Sequence, residues 1–323
     1  MDEDELTYAD AGVDIDASEA ATAALVGAAK VADSAAYAGL VDLGDRYLAL
    51  ATDGVGTKLL VAEALGDYST VGIDCIAMNV NDLVAAGVDP VAFVDYLAIE
   101  APDDAIAAEL GDGLATGAER AGVVLVGGET AVMPEVVTGL DLAGACAGLA
   151  AKAAVFAGEA RPGNALVGWP SSGIHSNGLT LAREAVTRSH EYTDPLPGGE
   201  DSIGRTLLEP TRIYTDLLGP MRTHDVDAAA HVTGGGWTNL GRMGEYRYVI
   251  DDPHPRQPVF RFIQEAGNVT DLEMHRTFNM GTGFVAALDE RRARSLADET
   301  DGRVIGTVSE GTGVEIRGLE LEA

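Results

Sequence analysis

The chain has 323 residues, 46% of them hydrophobic, and 40 glycines, enough apolar material for one large core or two ordinary ones joined by many turns. Acidic residues outnumber lysine and arginine 52 to 21, a net charge of −31 spread along the chain; this excludes a nucleic-acid binder, which needs a basic stripe, and docking on an anionic membrane. A dispersed acidic excess fits a surface kept soluble in a salt-rich cytoplasm, where its self-repulsion is screened.

Residues 17–32 are alanine-rich and predict a helix with Asp16 or Ser18 at its N-cap. Arg46–Thr52 is a short apolar run stopped by Asp53-Gly54, and predicts a buried strand. Helices are expected over Thr57–Leu65, over Val71–Ala86 up to Gly87, and over Pro102–Ala121 up to Gly122. Strands are expected over Pro90–Ile99, Val123–Val126 and Leu140–Leu149. The turn-rich stretch Phe156–Gly163 marks a boundary between domains 1–155 and 156–323. Beyond it come a strand at Ala165–Trp169, a helix from about Asn177, a loop at 193–203 and a helix at Thr211–Met221. A glycine-rich turn at 233–244 leads into a helix. Strands near Arg247–Ile250, Gly283–Leu288, Val304–Val308 and Val314–Arg317 alternate with helices near Pro258–Ala266 and Asp289–Leu296. The order predicts an α+β fold with α/β character: a mixed sheet with helices, then an α/β domain. Cys75 and Cys146 form no CxxC, so neither a zinc cluster nor a disulfide framework is expected. The acidic start MDEDELTYAD is unlike a signal peptide, and no run of about 18 apolar residues occurs, so a cytoplasmic protein is expected.

Five segments carry candidate chemistry. In Asp53-Gly54-Val55-Gly56-Thr57-Lys58 a strand end feeds a glycine turn and a helix, where backbone N–H groups approach an anion. Asp53 suits a divalent cation, and Lys58 suits a phosphate, although a tight turn with a surface lysine reads the same way. The chain has only Lys30, Lys58 and Lys152, which favours a purpose for Lys58. In the helix at 71–86, Asp74 and Asn81 share a face and Asp82 lies beside Asn81; polar groups on an apolar helix need partners or a ligand. Gly127-Gly128-Glu129-Thr130 follows a strand, the usual edge of a ligand crevice. Ser171, Ser172, His175, Ser176 and Asn177 gather between a strand and a helix, a place for phosphate binding and proton transfer. Thr233-Gly234-Gly235-Gly236 is a further anion cradle.

At these residues the chain resembles the phosphoribosylformylglycinamidine cyclo-ligase family, the aminoimidazole ribonucleotide synthetases. The resemblance covers YADAGVDIDA (8–17), TDGVGTKL (52–59), VGIDCIAMNVNDL (71–83), LVGGETAVMP (125–134), DLAGACAG (141–148), SSGIHSNG (171–178), LLEPTRIY (207–214), AHVTGGG (230–236) and MHRTFNMGTG (274–283), in the family's order. The DGVGTK and GGET motifs are shared with a wider ATP-binding superfamily, whereas DAGVDI, LEPTRIY and RTFNMG look specific to this family. The resemblance implies an N-terminal domain that pairs with its dimer mate into a central β-barrel, and an α/β domain behind it. It implies ATP and Mg2+ as cofactors, formylglycinamidine ribonucleotide as the small-molecule substrate, and ring closure to aminoimidazole ribonucleotide with ADP and phosphate. It assigns Asp53, Asp82 and Glu129 to the metal, and His175, Lys58 and Asn177 to catalysis. Nucleotide contacts fall on Asp53, Gly54, Gly56, Thr57, Lys58, Asn81, Gly127, Gly128, Thr130, Ser171, Ser172 and Thr233 to Gly236. One departure is the segment 34–45, shorter than the GGFGG-like loop of many bacterial relatives and holding only Gly39 and Gly44. The competing readings are a related kinase such as thiamine-phosphate kinase, and an ATP-binding scaffold without catalysis.

Overall fold

A computed structural model of the chain describes residues 5–13, 15–29, 38–156 and 159–321. Helix α1 (Ile15–Ala29) covers most of the alanine-rich stretch; the expected last turn at 30–32 and the start of the 34–45 segment lie outside the described residues.

The first sheet is built from β1 (Gly39–Asp42) and β2 (Arg46–Gly54), then, after helices α2 (Lys58–Leu65) and α3 (Val71–Ala85), from β3 (Asp89–Ile99). Helix α4 (Asp104–Ala121) precedes β4 (Val124–Val132) and β5 (Leu140–Ala151). Strand order is β1-β2-β5-β3-β4, with β3 and β4 parallel and the other pairs antiparallel. Asp103 starts α4 by accepting from the N–H groups of Ala105 and Ile106, and Gly122 ends it in the left-handed region. The alternation of β2 and β5 buries one face, with Ala49, Ala51, Leu142 and Cys146 under α3. Helices α3 and α4 cross backbone to backbone: a Cβ on Gly72 would sit 2.3 Å from the Leu114 nitrogen, so any larger residue there forces the helices apart. The opposite sheet face is open and apolar. Leu50, Val94, Tyr96, Val124 and Val126 are 40% to 62% exposed on the first sheet, and β4 is its edge.

The second sheet follows β6 (Ala165–Pro170), helices α5 (Leu179–Thr187), α6 (Ile203–Leu207) and α7 (Leu218–Thr223), then β7 (Ala228–His231) and β8 (Arg247–Ile250). Helices α8 (Pro258–Gly267) and α9 (Asp271–Thr277) lead to β9 (Thr282–Leu288), α10 (Glu290–Glu299), β10 (Arg303–Ser309), β11 (Gly313–Ile316) and β12 (Leu319–Leu321). Its order is β12-β11-β8-β10-β6-β9-β7. Every residue of β9 is buried, as a strand covered on both faces requires.

Two expectations change. The helix predicted over Thr211–Met221 is absent as such: residues 208–214 run without helical structure, a 3-10 turn spans Thr215–Leu217, and only α7 is α-helical. Its backbone is claimed by α3 instead, as the N–H groups of Thr211 and Tyr214 donate to Asp74 and Asn81 at 2.8 and 2.9 Å. The helix expected after the triple glycine is a 3-10 helix over Gly236–Met243.

Candidate active site at the seam of the two sheets

The site starts from α3. Its apolar face packs on the first sheet, while its polar residues face the segment 209–214 of the second half. Asp74 accepts from the backbone and hydroxyl of Thr211, at 2.8 and 2.5 Å, and from Lys58 Nζ at 2.9 Å. Asn81 donates to the Arg212 carbonyl at 2.9 Å and accepts from Tyr214 N–H. Asp74 and Asn81 therefore act as braces between the two halves, and the Asn81 amide, expected at the nucleotide, is engaged here within the protein.

Lys58, expected at a phosphate, is likewise engaged within the protein. Its side chain is 0% exposed, and its ammonium donates to Asp74 Oδ1 and to the Glu209 carbonyl, at 2.9 and 2.7 Å, and lies 2.8 Å from Asp74 Oδ2. Burial pulls its pKa below the ordinary lysine value, and the Asp74 charge opposes that pull.

Asp53 and Asp82 do come together. Asp53 closes β2 on the helix-covered face, its oxygen accepting from Gly54 N–H at 2.7 Å. Burial first, and then the neighbouring Asp82 charge, push its pKa up to about 6. Asp82 Oδ1 lies 3.1 Å from His231 Nδ1, and the other nitrogen of that buried ring lies 3.4 Å from Asn81 Nδ2. Sequence reasoning passed over His231, although it stands two residues before Thr233. Arg242 lowers the Asp53 pKa across the same space. Asp95 was also missed, although it is the only acid in the strand run 90–99. Register places Asp53, Gly144, Asp95 and Gly128 in one row across β2, β5, β3 and β4, so their side-chain positions share the helix-covered face. Burial raises the pKa of Asp95 too.

Glu129 does not join this group. It pairs with Tyr96 in the row next to Asp95, and so projects from the open face of the first sheet. No group of three His, Cys, Asp or Glu suited to a metal occurs among the described residues. The donor set that remains, two crowded carboxylate oxygens with one held protonatable near neutrality, still fits Mg2+, which takes one or two carboxylates and completes its shell with phosphate and water. Gly127, Gly128 and Thr130 stand within edge strand β4, not in a separate loop.

The loop 171–178 is internally tied. Ser171 Oγ donates to Asn279 at 2.8 Å and Ser172 Oγ to the Pro210 carbonyl at 2.6 Å, so both hydroxyls brace the loop and neither is spare for phosphate. Asn279 also donates to the carbonyls of Gly173 and Ile174. His175 sits at φ +63, 0% exposed, and its Nε2 accepts from Ser172 N–H at 3.2 Å. That leaves its Nδ1 as a donor with no partner. Burial holds the ring neutral, well below the usual histidine value. Asn177 contacts Met78 of α3 and closes on Gly234, whose Cβ would lie 3.4 Å from its oxygen. Thr233 is fastened to Asn239 through its N–H and hydroxyl, at 2.7 and 3.1 Å. Gly236 is required where it stands: at φ +53, a Cβ would fall 2.3 Å from the His275 carbonyl. Gly54 ends β2, Gly56 turns the chain at φ +68, and Thr57 meets Thr180 of the second half at 2.9 Å.

Paired carboxylates, a glycine loop and a domain seam define the class. The model for AIR synthase related proteins matches with its N-terminal domain over residues 33–150 and its C-terminal domain over 161–318. The chain is 46% identical to the phosphoribosylformylglycinamidine cyclo-ligase of Methanococcoides burtonii, over 99% of this chain and 100% of that one. It is 45% identical to that of Methanosarcina acetivorans, covering 100% of both chains. It belongs to the phosphoribosylformylglycinamidine cyclo-ligase family. Among solved structures, AaThiL complexed with AMPPCP and TMP shares the fold, with a TM-score of 0.69 over 94% of each chain at 17% identity.

Proposed function

We propose that the chain uses ATP to close formylglycinamidine ribonucleotide into aminoimidazole ribonucleotide, releasing ADP and phosphate in purine biosynthesis. The observation that carries this reading is the end-to-end likeness to cyclo-ligases at 45–46% identity. The formamide oxygen is a poor leaving group, so it is first phosphorylated: its bond to the γ-phosphorus forms as the bond to ADP breaks. The amidine nitrogen then attacks the formyl carbon and loses a proton, the carbon–oxygen bond breaks, and phosphate departs with the former formyl oxygen. Such transfers depend on positioning and charge neutralisation.

In this reading Asp53 and Asp82 hold Mg2+, which would neutralise phosphate oxygens, and His231 fixes the orientation of Asp82. Within the loop, the Thr233 and Gly236 N–H groups are held by Asn239 and the Thr233 carbonyl, and those of Gly234 and Gly235, beside Asn177, would face the phosphates. His175 offers its unpartnered Nδ1–H to an oxygen of substrate or phosphate. Lys58 acts through Asp74, holding the 209–214 segment in place.

The open apolar face of the first sheet supports a homodimer, since a contiguous exposed apolar surface marks an interface. Glu129 lies on that face, so its metal role belongs to the site of the partner. The acidic surface supports adaptation to high salt, and the absence of an apolar membrane-length helix among the described residues is compatible with a cytoplasmic enzyme. The test is ADP release with formylglycinamidine ribonucleotide, ATP and Mg2+ in molar potassium chloride. ADP and aminoimidazole ribonucleotide in equal amounts are expected; ADP formed only when thiamine phosphate replaces the ribonucleotide, with thiamine diphosphate as product, would show a kinase, and bound ATP without any ADP would show a scaffold.

A further inference from the structure

The second half carries a cavity of about 520 Å³ that the proposed chemistry does not use. Its wall comes from the segment 253–256, from α9, from the start of β10 and from the turn between β11 and β12. Asp53, Asp82, His231 and the loop Thr233–Gly236 do not line it.

Two independent features of the wall call for a ligand. The first is charge. Arg256, Arg303 and Arg317 converge on the cavity in a chain whose acids outnumber its lysines and arginines 52 to 21. Arg303 and Arg317 share the single carboxylate of Asp252, at 3.4 and 3.8 Å. Arg256 donates to the neutral amide of Gln264 at 3.1 Å and forms no ion pair among the described residues. The carboxylate of Asp271, also in the wall, is held by Gln264 at 2.7 Å. Guanidinium groups recognise phosphate oxygens in a forked geometry. The second feature is Trp237. It lines the cavity, is fully buried, and its Nε1–H has no acceptor, whereas the other indole, Trp169, donates to Thr300 at 2.9 Å. A buried donor without a partner is rare, and the Trp237 indole belongs to the cavity wall, where a bound ligand would alter its surroundings.

The remaining wall fits the body of a nucleoside. Nδ1 of His275 meets the Asp271 carbonyl, and Nε2 of His254 meets the Gly168 carbonyl, both at 2.8 Å. Burial lowers the pKa of both rings, and with one nitrogen of each donating to a carbonyl, the second nitrogen of the neutral ring can accept from a hydroxyl or amino group. Met280, Ile316 and Leu319 add an apolar surface. A volume near 520 Å³ lies within the range of small-molecule sites.

The geometry points to a second ligand site on this chain, for a nucleoside monophosphate, with the phosphate among Arg256, Arg303 and Arg317 in the cavity that Trp237 helps to wall. The site rests on no feature of the cyclo-ligase reading, and its test is read at Trp237 alone. The chain has two tryptophans, so a proton–nitrogen correlation spectrum of the labelled protein shows two indole signals, assigned with Trp237→Phe. On titration with AMP, the Trp237 signal is expected to move and saturate while that of Trp169 stays. Inorganic phosphate should move it at higher concentration, and adenosine should not. Arg256→Gln combined with Arg317→Gln should weaken AMP at least tenfold and leave the cyclisation rate without AMP unchanged. An unmoved Trp237 signal at millimolar AMP, adenosine as effective as AMP, or a response that survives the double variant would overturn the site. An unmoved Trp169 signal in the variants shows that the fold is kept.

Discussion

Replacing Lys58 by methionine keeps the length of the side chain and removes the cation from Asp74. Both side chains are 0% exposed, so the remaining carboxylate is stranded away from water, with only Thr211 as donor. Breaking a buried ion pair by removing one partner costs about 3–5 kcal/mol, a large share of the roughly 5–15 kcal/mol that holds a domain folded. At about 2–4 °C per kcal/mol for a domain of this size, the melting temperature should fall by roughly 10 °C. The double variant Lys58→Met/Asp74→Asn removes both charges and should regain part of the loss, because an amide oxygen can still accept from Thr211. The assay is thermal unfolding by circular dichroism at fixed salt, with ADP release measured below the transition. The reasoning fails if Lys58→Met melts with the wild type yet has lost ADP release, since that pattern belongs to a phosphate ligand and not to a brace.

Asp82→Asn should lower turnover at limiting Mg2+ by about tenfold or more, and recover in excess Mg2+; unchanged turnover at limiting Mg2+ would remove Asp82 from the metal. Mixing Asp82→Asn with Glu129→Gln chains should restore some activity, because one of the two sites in a mixed dimer then has both carboxylates; no gain over either variant alone would place Glu129 elsewhere. Below about pH 6.5 an unfolded histidine takes a proton that buried His175 refuses, so its contribution is complete above that pH and is lost on acidification. Melting temperatures at pH 7.5 and 5.5 should therefore differ more in the wild type than in His175→Asn, and equal differences would contradict the buried neutral ring. Lowering potassium chloride from molar to tens of millimolar should depress the melting temperature, as 52 acids against 21 bases repel more strongly once unscreened; a salt-independent melt would remove the high-salt reading.

What the sequence could and could not disclose divides by how local the cause is. Helix α4 was legible because Asp103 and Gly122 cap it within its own segment. Strand β2 was legible from an apolar run that ends at Asp53-Gly54, and the pairing of Asp53 with Asp82 followed the motifs. The segment 211–221 reads as helix by itself, and only the side chains of Asp74 and Asn81, more than a hundred residues away, draw its backbone into another path. The turn at 53–58 gives no sign that Lys58 will pair with Asp74, 16 residues on, or reach the Glu209 carbonyl, 151 residues on. The face of Glu129 depends on strand parity, and a register shift between Phe93 and Val94 decides what stands opposite it. Strand β7 is three alanines and His231; alanine has little strand preference, so neither the strand nor its histidine announced itself.

The most direct test of ring closure driven by phosphate transfer is to follow the formyl oxygen. Substrate carrying oxygen-18 in the formyl group would be turned over with ATP and Mg2+ in unlabelled water, and the released phosphate analysed by mass. The account predicts one labelled oxygen in each phosphate and one ADP for each imidazole formed. Label lost to water, with unlabelled phosphate, would contradict it, because the oxygen would then have left without ever being phosphorylated.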